Sequence, residues 1–206
     1  MAATPSSARL SRTELLARGG KGVALLLAGS TLGEFVPEAA AADKLPDGDL
    51  AYARLFATVE LLALDFYRQA IAARHFGARA SEELRRANAD EHQHYESAAA
   101  ILVSQAQVPA TAADIDFSYP SGSFASRGSI AKLGVQLEST ALGAYLGAVE
   151  GFQTDALKQR AARAAASESQ HLSVFAAELG GRRIGAAFPR PLTIDRVSGV
   201  LDKFTS

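Results

Sequence analysis

Hydrophobic residues recur every three or four positions along four long stretches of the chain, which is the pattern of helices that bury one face. Alternating hydrophobic and polar positions, which would indicate strands, do not continue over any useful length. The pattern therefore predicts an all-α protein. The four helices are predicted from about Asp49 to Phe76, from a cap at Ser81 to before Pro109, from about Ser129 to Val149, and from near Thr154 to Gly180.

The connections between the stretches predict how the helices are arranged. Short turns join the first two, where Gly77 ends the first helix, and the last two, so each pair should form an antiparallel hairpin. About 20 residues rich in Pro, Ser and Gly, 107–128, separate the hairpins. A loop of that length is unusual in a compact domain, but a four-helix bundle needs a long crossover when its second hairpin starts at the opposite end. A short fifth helix is predicted from about Ile194.

A repeated sequence pattern relates the two hairpins. The pattern R-A-x-A-x-E-x-Q-H occurs at 86–94 and at 163–171, and E-x-x-A-L-x-x-Y precedes each copy at 60–67 and 138–145. In both copies of R-A-x-A-x-E-x-Q-H a Glu and a His are three residues apart, which places both on one face of a helix, a turn apart. The chain thus carries an internal repeat of a helix pair, and two copies suggest two half-sites that meet around metal.

Six polar side chains of the repeat fall on the predicted core stripes. A buried Glu is rare unless it is paired, because taking a carboxylate out of water is costly or forces it to bind a proton. Four carboxylates balance the charge of two divalent cations. Two metal ions, bridged by two Glu and each capped by a Glu and a His, would satisfy every group, whereas the alternative is a bundle with a few core salt bridges. The six residues are Glu60, Glu91, His94, Glu138, Glu168 and His171.

This set resembles that of the ferritin-like superfamily, in which two helices each supply a Glu and two others each supply Glu-x-x-His. More closely, the chain resembles exported bacterial ferritin-like domain proteins, a group that includes desiccation-related members. The resemblance covers about Asp49 to Pro191, including Asp116-Phe117-Ser118 in the crossover and Ala187-Phe188-Pro189 near its end. It implies a ferritin-like four-helix bundle.

The resemblance also implies a role for each residue. Glu60 and Glu138 would be terminal carboxylates, Glu91 and Glu168 would bridge, and each His would bind one metal. Carboxylate oxygen and imidazole nitrogen suit two iron or two manganese ions. Family members often carry a Tyr beside the metal, hydrogen-bonded or redox-active, and this implies such a place for Tyr67 and Tyr145. Ordinary core packing is the alternative for both.

Composition and charge exclude several other classes of protein. The net charge is -1 and there is no basic stripe with interleaved aromatic residues, which argues against a nucleic-acid partner. The chain has no Cys, so disulfides, thiolate metal sites and iron–sulfur clusters are excluded. Oligomeric state is left open by these features, and a homodimer is one compatible assembly.

The first 42 residues differ from the rest and are predicted to be a secretory signal, which leaves 43–206 as the bundle domain. Basic residues between Arg9 and Lys21 precede a mostly apolar run, Val23 to Gly33, and small residues follow at Ala39 to Ala42. The apolar run is too short to span a bilayer, so the mature chain is not expected to be an integral membrane protein. Residues 11–16 resemble a twin-arginine export motif, with Thr13 in the place of the second Arg. The alternative is a surface-packed or disordered N-terminal arm.

Three functions fit these features. The first is a di-metal carboxylate oxidoreductase with ferroxidase-like or antioxidant activity on O2 or peroxide. The second is disproportionation of peroxide like that of manganese catalases, which use a comparable Glu and Glu-x-x-His pattern. The third is a non-enzymatic stress protein, as the desiccation-related resemblance implies. Iron storage in a 24-subunit cage is disfavoured, because the short tail lacks a fifth helix of that type.

Overall fold

Helices make up most of residues 44–181 and 185–205, which are the parts of the chain that the computed structural model describes. Within these ranges the only β-type pairing is an isolated bridge between Phe117 and Thr205. The all-α prediction is therefore confirmed. The helices are α1 Asp47–Ala72, α2 Ala78–Ser104, α3 Arg127–Gly151, α4 Asp155–Glu178 and α5 Ile194–Leu201.

The four long helices form a bundle of two hairpins, as the sequence predicts. Residues 73–77 join α1 to α2, residues 152–154 join α3 to α4, and the crossover 105–126 connects the hairpins. α3 begins with a capping box, in which the Ser126 hydroxyl accepts the Ser129 amide and the Ser129 hydroxyl accepts the Ser126 amide, each at 3.1 Å. The crossover is attached to the C-terminal segment, where the Ser118 amide donates to the Phe204 carbonyl at 2.8 Å.

The turn between α1 and α2 differs from its prediction at both ends. α1 ends at Ala72, earlier than predicted, and the chain reverses at Arg74, whose φ of 55° is left-handed. Gly77 precedes α2 rather than ending α1. The predicted cap at Ser81 is also wrong, because the Ser81 amide already makes a helical hydrogen bond to the Gly77 carbonyl at 2.9 Å. Good helix formers directly before Ser81 let the helix begin a turn earlier.

A buried carboxylate ties the two hairpins together. Asp49, in the first turn of α1, is fully buried. Its two oxygens accept the backbone amides of Gln153 at 2.8 Å and of Thr154 at 3.0 Å. These amides lie at the start of α4, whose own cap residue makes no side-chain cap bond. Asp49 therefore satisfies the end of α4 from another helix, where a negative charge is also favoured by the helix dipole.

The tail packs closely against α3 through two glycines. The Leu192 amide donates to the Gly143 carbonyl at 2.7 Å. A Cβ at Gly147 would lie 1.9 Å from the Leu192 carbonyl oxygen, so only glycine permits this approach. From there the chain enters α5, whose buried Val197 and Leu201 pack onto α1 and α3.

Residues 1–43, 182–184 and 206 lie outside the described residues, so the secretory signal at 1–42 and the division at residue 43 stay predictions. The same is true of the homodimer. Among the described helices, none combines the length and the apolar character needed to cross a bilayer.

Candidate metal centre

The six predicted ligands meet at the middle of the bundle. α1 supplies Glu60, α3 supplies Glu138, and α2 and α4 each supply a Glu and a His three residues apart. Every Glu of the set is at most 2 % exposed. Helical spacing places the Glu and the His of each Glu-x-x-His pair on the same inward face. The six side chains converge because the hydrophobic stripes of the four helices face one another.

Glu91 and Glu168 each lie between the two imidazoles. Glu91 Oε2 is 3.2 Å from His94 Nδ1, and its Oε1 is 3.0 Å from His171 Nδ1. Glu168 Oε1 is 2.9 Å from His94 Nδ1, and its Oε2 is 3.4 Å from His171 Nδ1. Each of these carboxylates therefore presents one oxygen to each half of the centre.

Glu60 and Glu138 are each held by a tyrosine of the opposite hairpin. Tyr67 on α1 donates its hydroxyl proton to Glu138 Oε1 at 2.5 Å. Tyr145 on α3 donates to Glu60 Oε1. In both carboxylates the second oxygen, Oε2, is buried without a hydrogen-bond partner. The tyrosines thus occupy one oxygen of each Glu and leave the other facing the centre.

The arrangement fits a pair of cations. Both oxygens of Glu168 are buried without a hydrogen bond, although His94 and His171 nitrogens lie close, because the donors are not aligned with them. Buried carboxylate oxygens without partners are strongly unfavourable unless a cation meets them. Two groups of four residues could each hold an ion, because the ligand atoms within each group all lie within 4.8 Å of one another. They are Glu60, Glu91, His94, Glu168 and Glu91, Glu138, Glu168, His171.

The carboxyl groups of the centre differ in how tightly they hold a proton. Burial raises the pKa of Glu60 and of Glu138 well above the usual range, and the neighbouring carboxylates of Glu91 and Glu168 raise it further. Burial also acts to raise the pKa of Glu91, but hydrogen bonds from His171 and other neighbours outweigh it and lower the pKa to about 2.

The imidazoles hold their protons more tightly than usual. Burial alone would lower the pKa of each, but the close carboxylates of Glu168 and Glu91 outweigh burial. They raise the pKa of His94 to about 9 and that of His171 to about 12. In the protein without metal, protons therefore hold the place that cations would take.

A seventh residue, Asp90, touches the centre from outside. Its Oδ2 lies 3.3 Å from His171 Nε2, on the far side of the ring from the carboxylates. Asp90 lies half-exposed on α2, and its carboxylate reaches His171 because α4 packs beside it. Ser167, its counterpart in the repeat, also lies 3.4 Å from His171 Nε2. The sequence signal for Asp90 is only an acid directly before Glu91, and the periodicity of α2 does not show which helix that acid faces.

Other polar residues of the repeat, and His75 in the turn before α2, stay away from the centre. His75 and His92 are exposed and belong to neither group of ligand atoms. Gln93 and Gln170 are also exposed, as their helical position predicts. Arg86 pairs with Glu82 on its own helix rather than with an acid of the centre.

Comparison with known proteins finds one family. The family described as a ferritin-like domain matches residues 48–181, well over half of the chain and all four long helices apart from the first residue of α1. No curated protein matches the sequence. The exported, desiccation-related subtype stays a prediction.

Proposed function

Because the chain belongs to the ferritin-like domain family, we propose that it is a di-metal carboxylate protein that reacts with O2 or peroxide. It would hold two iron or two manganese ions at the centre of the bundle. The reaction would be ferroxidase-like or would remove the oxidant. The environment of Glu168 carries this proposal: a fully buried carboxylate, with neither oxygen hydrogen-bonded, lies between two imidazoles.

The ligand roles follow from which atoms each side chain presents. Glu91 and Glu168 would bridge, since each directs one oxygen to each half. Glu60 and Glu138 would be terminal ligands through Oε2, because a tyrosine occupies Oε1. The four carboxylates would neutralise two divalent ions.

A pair of metal ions at this centre could reduce a small oxidant, and two tyrosines would hold the terminal carboxylates in place. When bound, two divalent ions would supply one electron each, the two electrons that one peroxide molecule needs, with two protons, to become two waters. Tyr67 and Tyr145 orient the terminal carboxylates. Burial and the neighbouring carboxylates raise the pKa of both phenols, so each remains a hydrogen-bond donor over the physiological range. Aromatic rings pack against both phenols, Phe66 against Tyr67 and Phe56 against Tyr145.

The decisive experiment compares Glu91→Gln with Glu96→Gln. Glu91 is buried at the centre, whereas Glu96 lies exposed on the same helix. We expect the unaltered chain and Glu96→Gln to bind two iron or manganese ions per chain, and Glu91→Gln to lose at least one. Elemental analysis after anaerobic loading with each metal, followed by peroxide or O2 consumption, measures both steps. Two ions and full turnover in Glu91→Gln would disprove the proposal.

The same measurements separate the alternatives. Release of O2 from peroxide by the manganese form and not by the iron form would indicate a manganese-catalase-like reaction. A chain from its native host that holds no metal, and whose thermal stability is indifferent to added metal, would indicate a structural stress protein instead.

A further inference from the structure

A cavity of about 40 Å³ lies beside His94, between the two hairpins. We call it the His94 cavity. It has room for roughly two or three water-sized molecules. Most of its wall is apolar, and four side chains with polar atoms also line it, namely His94, Ser97, Tyr145 and Arg160. The residues of its wall that matter here are Phe56, His94, Ala98, Tyr145, Arg160 and Ala161.

The repeat shows why space exists on this side of the centre. Counting from the paired histidines, 94 and 171, Ala98 corresponds to Phe175 and Ala161 corresponds to Leu84. Phe175 and Leu84 are at most 1 % exposed and fill their positions. Phe175 packs so closely that a Cβ at Gly134 would lie 2.5 Å from its ring. At these two positions large side chains fill the His171 half and alanines leave room in the His94 half, although Phe56 of the His94 half corresponds to Gly134.

The His94 cavity reaches the ligand set directly. His94 and Tyr145 both line it, and Tyr145 is the phenol that holds Glu60. The His94 side chain is 15 % exposed, against 5 % for His171. The ring of Phe56 stacks on Tyr145 with centroids 4.1 Å apart, so the cavity wall beside Glu60 is aromatic.

Polar groups lie at one part of the cavity wall. Arg160 donates from Nη1 to the Ser97 hydroxyl at 3.0 Å, and both side chains are partly buried. A guanidinium there favours polar or anionic small molecules over larger apolar ones. The volume excludes an organic substrate of drug size.

We propose that the His94 cavity is where a small O–O oxidant, peroxide or O2, approaches and binds next to the centre, so that the two half-sites differ in access. This inference rests on the proposed di-metal function. The His94 half receives the oxidant. The His171 half, where Phe175 fills the position of Ala98, is the less exposed side.

Narrowing the cavity tests the inference. Ala161→Leu introduces the residue that the repeat carries at position 84, and Ala98→Val is a smaller change if the first variant folds poorly. The probe is azide, a small anion whose binding to the oxidised iron or manganese form changes the absorption spectrum. We expect azide association and the reactions with peroxide and with O2, measured separately by stopped flow, to slow about tenfold or more. Metal content should stay unchanged.

A matched control fills a second cavity, on the Glu138 side of the centre. Ala63 lines a smaller cavity of about 20 Å³ beside Glu138, under α5. Ala63→Leu adds the same bulk there and should leave azide association unchanged. Slowing in Ala63→Leu, with normal rates in Ala161→Leu and Ala98→Val, would overturn the inference.

The outcomes separate this inference from the proposed function. If the unaltered chain binds azide faster than Ala161→Leu but is inert to peroxide and O2, the function fails and the cavity assignment stands. Unchanged azide rates in both narrowing variants, with normal oxidant turnover, would leave the function and reject the cavity. A chain that binds neither metal would reject both.

Discussion

At the scale of single residues, the two histidines of the centre have different surroundings. Both direct Nδ1 at the carboxylates of Glu91 and Glu168, but His171 also has Asp90 against Nε2. A carboxylate behind a metal-binding imidazole fixes its tautomer and orientation and makes it a stronger ligand. The repeat has Ser167 where the other copy has Asp90, and both of these side chains contact His171. The half-sites are therefore unequal.

Replacing Asp90 should weaken one of the two metal sites. In Asp90→Asn the strong acceptor becomes a neutral amide, and we expect about a 10- to 100-fold loss of affinity for the ion held by His171. Ser167→Ala, which removes a longer contact to the same nitrogen, should have a smaller effect. Stepwise affinities from competition with a chelator give the measurement. Equal affinities in Asp90→Asn and the unaltered chain would contradict this role.

The convergence of the six candidate ligands could be predicted from the sequence, but the contact of Asp90 could not. A charged residue such as Glu91 on an otherwise hydrophobic stripe reveals itself, because its burial is costly without a cation. Asp90 is half-exposed and lies off the stripe. Its role depends on α4 passing beside α2, and the periodicity of one helix contains no information about its neighbour.

At the scale of elements, the close contact between α3 and the tail depends on glycine. The chain at Leu192 lies directly against Gly143 and Gly147, which anchors the segment that leads into α5. Sequence periodicity predicted α3 and α5 but not this contact. A glycine inside a helix reads only as a weak helix former, and its packing partner lies far along the chain.

Alanine at Gly147 should destabilise the protein despite its better helix propensity. The added Cβ would lie 1.9 Å from the Leu192 carbonyl oxygen, so the tail must shift. We expect a loss of about 1–3 kcal/mol in the free energy of unfolding, as in other overpacked sites. Gly199→Ala in α5, where nothing lies within 4 Å, is the control and should be neutral or stabilising. Urea unfolding of both variants gives the comparison; a stable Gly147→Ala would show that the tail is easily displaced.

At the scale of the whole molecule, the centre joins the two hairpins. Each predicted ion site takes ligands from both, since His94 faces Glu168 and His171 faces Glu91. Tyr67 and Tyr145 make their hydrogen bonds across the same interface. Metal should therefore stabilise the docked bundle, and not one hairpin alone.

Metal binding should raise the melting temperature, and more so at higher pH. Folding raises the pKa of His94 to about 9 and that of His171 to about 12, so protonation of both imidazoles stabilises the metal-free protein. This stabilisation is complete below pH 6.5 and is lost as the pH rises through the two raised values. Metal competes with the same protons, so its affinity rises over the same window. At about 100 times Kd, binding contributes ~2.7 kcal/mol, roughly 5–10 °C for a chain of this size. Calorimetry at pH 6 and pH 8 with Mn²⁺ should give the larger shift at pH 8; an equal or smaller shift would contradict the protonated state of the histidines.

The internal repeat has a further consequence for how such a centre can evolve. A single hairpin that paired with a copy of itself would form a twofold-symmetric dimer, and every substitution would then appear in both halves. Joining two hairpins through the crossover removes that constraint. Asp90 against Ser167, and Ala98 against Phe175, are differences that only a fused chain can keep. The long crossover thus allows substitutions that change one half of the centre and leave the other half unchanged.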